Sequence, residues 1–228
     1  MVKTERLNHL FENWQKKYSF NVFMKDGIVC EDRYERVMFI LKDVNNAKPD
    51  ECNDMREYVQ TSLDGGKTWF NVARWTSALL DGKSYADLVN SIKETYKNNT
   101  HEFQHEQLRR VAIVNLKKEA GGSTVNNNVI NECASRQKEE LLDEITICNP
   151  EIIVVCGLGI FNGVKNVLGK VMPIAKDRPN FEMIKDWEIG TVSLAGKNCT
   201  IVQFRHPSTG CSAEKSYNDM LKIREFIK

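Results

Sequence analysis

No stretch of this chain approaches the eighteen or more uninterrupted apolar residues that a membrane-spanning helix needs, and its first residues carry no signal-peptide pattern. A membrane partner is therefore not expected. Charge of one sign is missing too: 32 Lys and Arg face 31 Asp and Glu, for a formal net charge of +1. No strong overall field marks the chain as a nucleic-acid binder, although a local basic groove stays open. The seven cysteines, at 30, 52, 133, 148, 156, 199 and 211, form no Cys-x-x-Cys pair, and their number is odd. Several lie inside apolar runs, as buried free thiols do. This predicts neither a disulfide framework nor a metal site, and it fits a reducing, cytoplasmic compartment. Internal repeats and low-complexity tracts are absent as well. The 228 residues are expected to form one domain, 1–228, with 1–36 as an N-terminal helical extension, and to act as a monomer.

What the sequence does have is a set of short apolar runs that stop at polar corners. Val37 to Leu41 ends in Lys42-Asp43, and Val111 to Val114 ends at Asn115. Ile152 to Val155 ends at Cys156-Gly157, and Cys199 to Phe204 ends at Arg205-His206-Pro207-Ser208. Each run is the length of a strand buried on both faces. Pro207 has no N–H to donate and so stops the last one. Gly190 to Leu194 precedes that last run and is expected to pair with it through a hairpin at Gly196-Lys197-Asn198. Between the runs the apolar spacing is helical: Leu7, Leu10, Phe11 and Trp14; Trp69 to Leu80; Tyr85 to Tyr96; 129–147, stopped by Asn149-Pro150; Phe161 to Leu168; and Ala213 to Ile227. Strands alternating with helices predict an α/β fold: a doubly wound sheet of about four parallel strands with helices on both faces.

In such a sheet the carboxyl ends of the strands share one edge, where ligands bind. Asp43, Asn115, Gly157 and His206 should therefore converge. A carboxylate can deprotonate or orient a water. A primary amide offers acceptor and donors to a pyrimidine edge with adjacent N–H and C=O groups. A histidine facing a carbonyl can stabilise a developing anion. Together these suit hydrolysis of an N-glycosidic bond. Structural alternatives stand beside each: His206 as a turn residue, Asn115 as a strand-end amide, Asp43 as a helix cap.

These residues resemble the uracil-DNA glycosylase superfamily. The tripeptide His206-Pro207-Ser208 matches its motif after the last strand, and Leu41-Lys42-Asp43-Val44-Asn45 stands where its first motif follows the first strand. Val111 to Lys118 is similar to the asparagine strand of its iron–sulfur branch, and Asn149 to Gly157 to that branch's Pro-x-x-Ile-Val-x-Leu-Gly strand. The resemblance spans about residues 37 to 228 and implies excision of uracil or a related damaged base from DNA. It gives Asp43 and His206 the catalytic roles and Asn115 the reading of the base, with Asn45 as an alternative polar group. Phe70 or Trp75 would stack on the flipped base, and Lys42, Lys117, Lys118, Arg205 and Ser208 would line the rim for phosphates. Departures from the family pattern have consequences. Leu41 and Val44 replace its glycine and proline, and Glu119 stands where the iron–sulfur branch has a cysteine ligand, so no cofactor is expected. Thr209-Gly210-Cys211 offers no bulky wedge, which makes single-stranded DNA, or a nucleotide, the expected partner. Two alternatives remain: a non-catalytic nucleotide- or nucleic-acid-binding protein, and a hydrolase of free nucleosides or nucleotides.

Overall fold

Val37-Met38-Phe39-Ile40-Leu41 contains no polar residue, and in the computed structural model every one of these side chains is buried. A strand apolar on both sides needs cover on both sides, and that requirement organises the molecule. The structure describes residues 2–20, 22–43, 53–61, 63, 66–119, 126–174 and 181–228. Along the chain these form α1 (Lys3–Lys17), β1 (Gly27–Ile28), β2 (Val37–Leu41), α2 (Met55–Thr61), α3 (Lys67–Leu80), α4 (Tyr85–Glu94), α5 (Thr100–Leu108), β3 (Val111–Asn115), α6 (Asn127–Arg136), α7 (Lys138–Cys148), β4 (Ile152–Cys156), α8 (Phe161–Leu168), β5 (Met172–Pro173), β6 (Ile189–Leu194), β7 (Lys197–Phe204) and α9 (Ala213–Ile227).

The strands make one seven-stranded sheet in the order β1-β3-β2-β4-β7-β6-β5. β2 pairs in parallel with β3 and β4, and β4 in parallel with β7, whereas β1, β5 and β6 join antiparallel. The sheet is thus mixed and wider than the expected four parallel strands. The additional strands β1 and β5 are two residues each and leave no periodic trace in sequence. Phe39, Ile113, Val154 and Phe204 pack on one face with α3, α5 and α9 residues such as Trp75, Phe103 and Tyr217. Met38, Val114, Val155 and Ile201 pack on the other with Phe11, Ile130, Leu141 and Val164 from α1, α6, α7 and α8.

Several boundaries differ from the sequence reading. The hairpin between β6 and β7 turns on Ala195-Gly196 alone, both at positive φ, with Leu194 opposite Lys197. Two consecutive positive φ values match the twist of a two-residue hairpin, and this sets the register. The helix read as 129–147 is two, broken at Gln137, whose ψ of 27° leaves the helical range. Asn149 closes α7 in the left-handed conformation, a common helix stop. The N-terminal 36 residues contain β1, so part of the expected extension is an edge of the sheet.

Lys118, expected on the rim, is instead fully buried. Its ammonium is hydrogen-bonded to Asp26 and lies 2.7 Å from Glu144 Oε2, and all three side chains are 0% exposed. The rings of Phe11 and Trp14 stand 5.7 and 5.3 Å away. Burial and the neighbouring Asp26 push the Glu144 carboxyl well above its ordinary range. Burial opposes the charge on Lys118, but the two acids prevail and raise its pKa. We take the group as one ammonium, one carboxylate and one protonated acid. Because the folded state holds the Glu144 proton more tightly than the unfolded chain does, stability falls as pH rises through and above the ordinary carboxylate range. In urea unfolding, Lys118→Met should cost about 3–5 kcal/mol, since it strands a buried carboxylate. Glu144→Gln, which keeps a neutral group of the same shape, should change stability by less than about 1 kcal/mol. Equal losses in the two variants would contradict this distribution of charge.

Candidate functional site

The parallel strands end together. Hydrogen bonding between β2 and β3 runs past their ends, Leu116 N–H donating to Leu41 O at 3.1 Å and Lys117 N–H to Lys42 O at 3.0 Å. Gly157 N–H donates to Phe204 O at 2.8 Å, which does the same for β4 and β7. Lys42 and Asp43, Lys117, Gly157, and Arg205 and His206 therefore lie along one edge. Gly157 has φ +133°, and a Cβ built there would stand 3.4 Å from Lys42 Cε. A larger residue would be strained at that φ, and its Cβ would touch the lysine stem.

His206 is half-buried in a tight corner. Its carbonyl accepts from Thr209 N–H at 3.0 Å and from Thr209 Oγ1 at 2.8 Å. Helix α3 clamps the same corner: Asn71 Nδ2 donates to Pro207 O at 2.6 Å, and Lys67 Nζ donates to Thr209 O at 2.9 Å. Ser208 N–H donates to His206 Nδ1 at 3.3 Å, and Ser208 Oγ lies 2.8 Å from the same nitrogen. A backbone N–H can only donate, so Nδ1 is the acceptor and the proton resides on Nε2. Burial, reinforced by the positive charge of Lys42, lowers the His206 pKa below its ordinary value. At neutral pH the ring is uncharged and presents an N–H donor at Nε2.

Asp43 is half-buried, and its Oδ2 is enclosed with no hydrogen-bond partner among the described residues. Burial raises its pKa, while the charges of Lys117 and Lys42 pull the other way. A desolvated carboxylate with an unoccupied lone pair is a stronger base than an exposed one. Lys42 thus acts electrostatically on both Asp43 and His206, and this is the clearest convergence at the edge. Ser208 is exposed and holds the histidine. Lys117 donates to Glu119 O at 2.6 Å, two residues further on.

Other predicted residues stand elsewhere. Asn115 is 1% exposed, and its Nδ2 donates to Asp26 Oδ2 at 3.0 Å. It sits at the end of β3, three strand spacings of about 4.8 Å from β7. Trp75 is a core residue: it is 1% exposed and packs edge-on against Phe204, with centroids 4.9 Å apart. It has no free ring face for a base, because α3 turns it onto the sheet. Phe70 stays half-buried, with Phe103 against it at 6.0 Å and the Arg74 guanidinium over its ring at 3.6 Å. Arg205 turns away from the rim to pair with Asp219 of α9 and lies over Trp187 at 4.8 Å, so its guanidinium is already engaged. Asn45 lies outside the described residues. Sequence reading passed over Asp26, which stands in no motif and ends no apolar run, and over Asn71, an unremarkable polar position on a helical stripe.

Among the described residues no group of three His, Cys, Asp or Glu side chains could hold a metal ion, and no helix is long and apolar enough to cross a membrane. No protein-family model matches the chain, and no curated protein is similar to it.

The control of Lys42 over His206 can be measured directly. Lys42→Met removes a neighbouring positive charge, so the imidazolium becomes easier to form and the His206 titration should move upward. Histidine ring signals followed by NMR across pH 4 to 8 would show it. An unmoved titration would place Lys42 outside the field of the imidazole.

Proposed function

We propose that this chain hydrolyses the N-glycosidic bond of uracil or a related damaged base in DNA, with a single strand as the preferred form. One observation carries the reading: a neutral imidazole at a strand carboxyl end, its Nδ1 occupied by Ser208 and its Nε2–H left as donor, at the same sheet edge as a desolvated carboxylate and in the field of a lysine that acts on both. In the reaction the bond between C1′ and the base nitrogen breaks, and its electron pair leaves with the base. Asp43 takes a proton from a water whose oxygen adds to C1′. The departing base carries negative charge on its carbonyl oxygens, which the His206 Nε2–H and the field of Lys42 stabilise. Asn115 would read the base edge, and Lys117 would meet backbone phosphate. The uncharged form of His206 suits this step, because a donor need not be ionised to stabilise an oxyanion.

A second reading, binding of a nucleotide or nucleic acid without cleavage, gains support from the stacking positions. Trp75 is enclosed, Phe70 is already covered by Arg74, and Thr209-Gly210-Cys211 carries no wedge. Hydrolysis of a free nucleoside would need neither wedge nor rim.

Single-turnover release of base from a uracil-containing single-stranded oligonucleotide separates these. His206→Ala should lower the rate on the order of 10²-fold or more while weakening binding little, since such a donor acts mainly in the transition state. Release from a matched duplex should be slower, because unstacking costs a few kcal/mol. Equal rates for the wild type and His206→Ala would remove the histidine from the mechanism. Measurable affinity with no release by the wild type would establish the binding protein instead.

A further inference from the structure

The Asp26 carboxylate accepts two hydrogen bonds from one residue. Asn115 backbone N–H donates to Asp26 Oδ2 at 2.7 Å, and Asn115 Nδ2 donates to the same oxygen at 3.0 Å. An acceptor that chelates a residue's main-chain and side-chain nitrogens together must lie on the main-chain side of the amide. It therefore uses the Nδ2 hydrogen that points back toward the backbone. The outer hydrogen and Oδ1 stay side by side at the far edge of the amide, one donor beside one acceptor.

The geometry points to Asp26 as a positioning residue that holds the Asn115 amide in one of its two orientations and thereby selects the class of base edge the site reads. This rests on the reading of Asn115 as the base-recognising residue. Turning the amide over would bring Oδ1 against the Asp26 carboxylate, placing two acceptors face to face in a fully buried setting. Such an arrangement sets acceptor lone pairs against each other, loses the bond from Nδ2, and is strongly disfavoured. The outer edge is consequently fixed as acceptor then donor, the complement of a ring N–H next to a carbonyl. Cytosine presents the opposite order, a ring nitrogen acceptor next to an amino donor, and would require the inverted amide.

The restraint is backed in turn. The other Asp26 oxygen, Oδ1, is bound by Lys118, so the carboxylate can neither rotate away nor be left without a counter-charge. Gly27, which follows it at φ +102°, begins β1, and the pairing of Gly27 with Ile113 fixes where along β3 the carboxylate stands. The edge strand and the buried lysine together set the side-chain amide of a residue 89 positions away.

Asp26→Asn tests this with little risk to folding, because Glu144 can release its proton and take over as the partner of Lys118. A neutral amide at position 26 can turn its nitrogen toward Oδ1 of the inverted Asn115, at the expense of the bond from the Asn115 main-chain N–H, so inversion is penalised much less than it is against a carboxylate. The measurement is the ratio of uracil to cytosine release from otherwise identical single-stranded oligonucleotides, with thermal melting of each variant to report its fold. The wild type should release uracil only, and in Asp26→Asn the ratio should fall by about tenfold or more, with cytosine release appearing. A damaged fold would slow both bases alike and leave the ratio in place. Asp26→Asn combined with Lys118→Met removes the buried charges as a pair and should show the same fall. In the wild type, NMR should find one Asn115 side-chain amide proton protected from exchange and released in Asp26→Asn. A folded Asp26→Asn that keeps the wild-type ratio, or freely exchanging Asn115 amide protons in the wild type, overturns the proposal while leaving glycosidic hydrolysis intact. A wild type that releases no base overturns the proposed function and this inference together.

Discussion

One ammonium group, buried beyond the reach of water, ties three parts of the chain together. Lys118 follows β3, Asp26 precedes β1, and Glu144 lies on α7. None of the three would be tolerated alone at 0% exposure, since an isolated charge in an apolar medium costs several kcal/mol. Together, with Phe11 and Trp14 forming the wall, they become acceptable only when the edge strand, the strand end and two helices are all in place. Hydrophobic contacts can slide by a residue and remain favourable. A buried ion pair cannot, and it therefore holds the register of β1 against β3 more sharply than two residues of strand pairing would.

The position of that cluster has a consequence for chemistry. It lies behind the carboxyl edge of the sheet, next to Asn115, whereas Lys42, Asp43 and His206 lie along the edge itself. Positive charge is thus used in two different ways at the ends of two neighbouring strands. At the edge, Lys42 depresses the titration of His206 and restrains that of Asp43. Behind it, Lys118 is saturated by acids and acts on geometry alone. Arg205 belongs to the second kind: its guanidinium is spent on Asp219 and on the face of Trp187. A count of basic residues along the edge would have put all of these into one phosphate-binding rim.

The corner at His206 shows a similar division between local and distant causes. The dipeptide Pro207-Ser208 is sufficient to turn the chain and to place a donor on Nδ1, so the tautomer follows from three consecutive residues. Holding that corner against the sheet needs Asn71 and Lys67, both on α3 and more than a hundred residues earlier. The ring chemistry is local, and its aim is set by the helix.

The strands buried on both faces were legible in the sequence because no polar residue interrupts Val37 to Leu41, Val111 to Val114 or Ile152 to Val155. Their polar terminations were legible for the same reason, and so was the carboxyl edge as the place where Asp43 and His206 would lie. Helix α9 began where Ser212 offered a cap. Helix α5 carries buried Gln104 and Gln107 beside Phe103 and Leu108 and shows no continuous apolar stripe. The fates of Trp75, Lys118 and Asn115 belonged to the tertiary structure. Each has a local sequence equally compatible with another role, and what set its place was a partner far away: Phe204 for Trp75, Asp26 and Glu144 for Lys118, Asp26 for the Asn115 amide. Periodicity records which face of a strand or helix avoids water. It holds no record of which distant charge will meet which, because that meeting exists only after the chain has closed on itself.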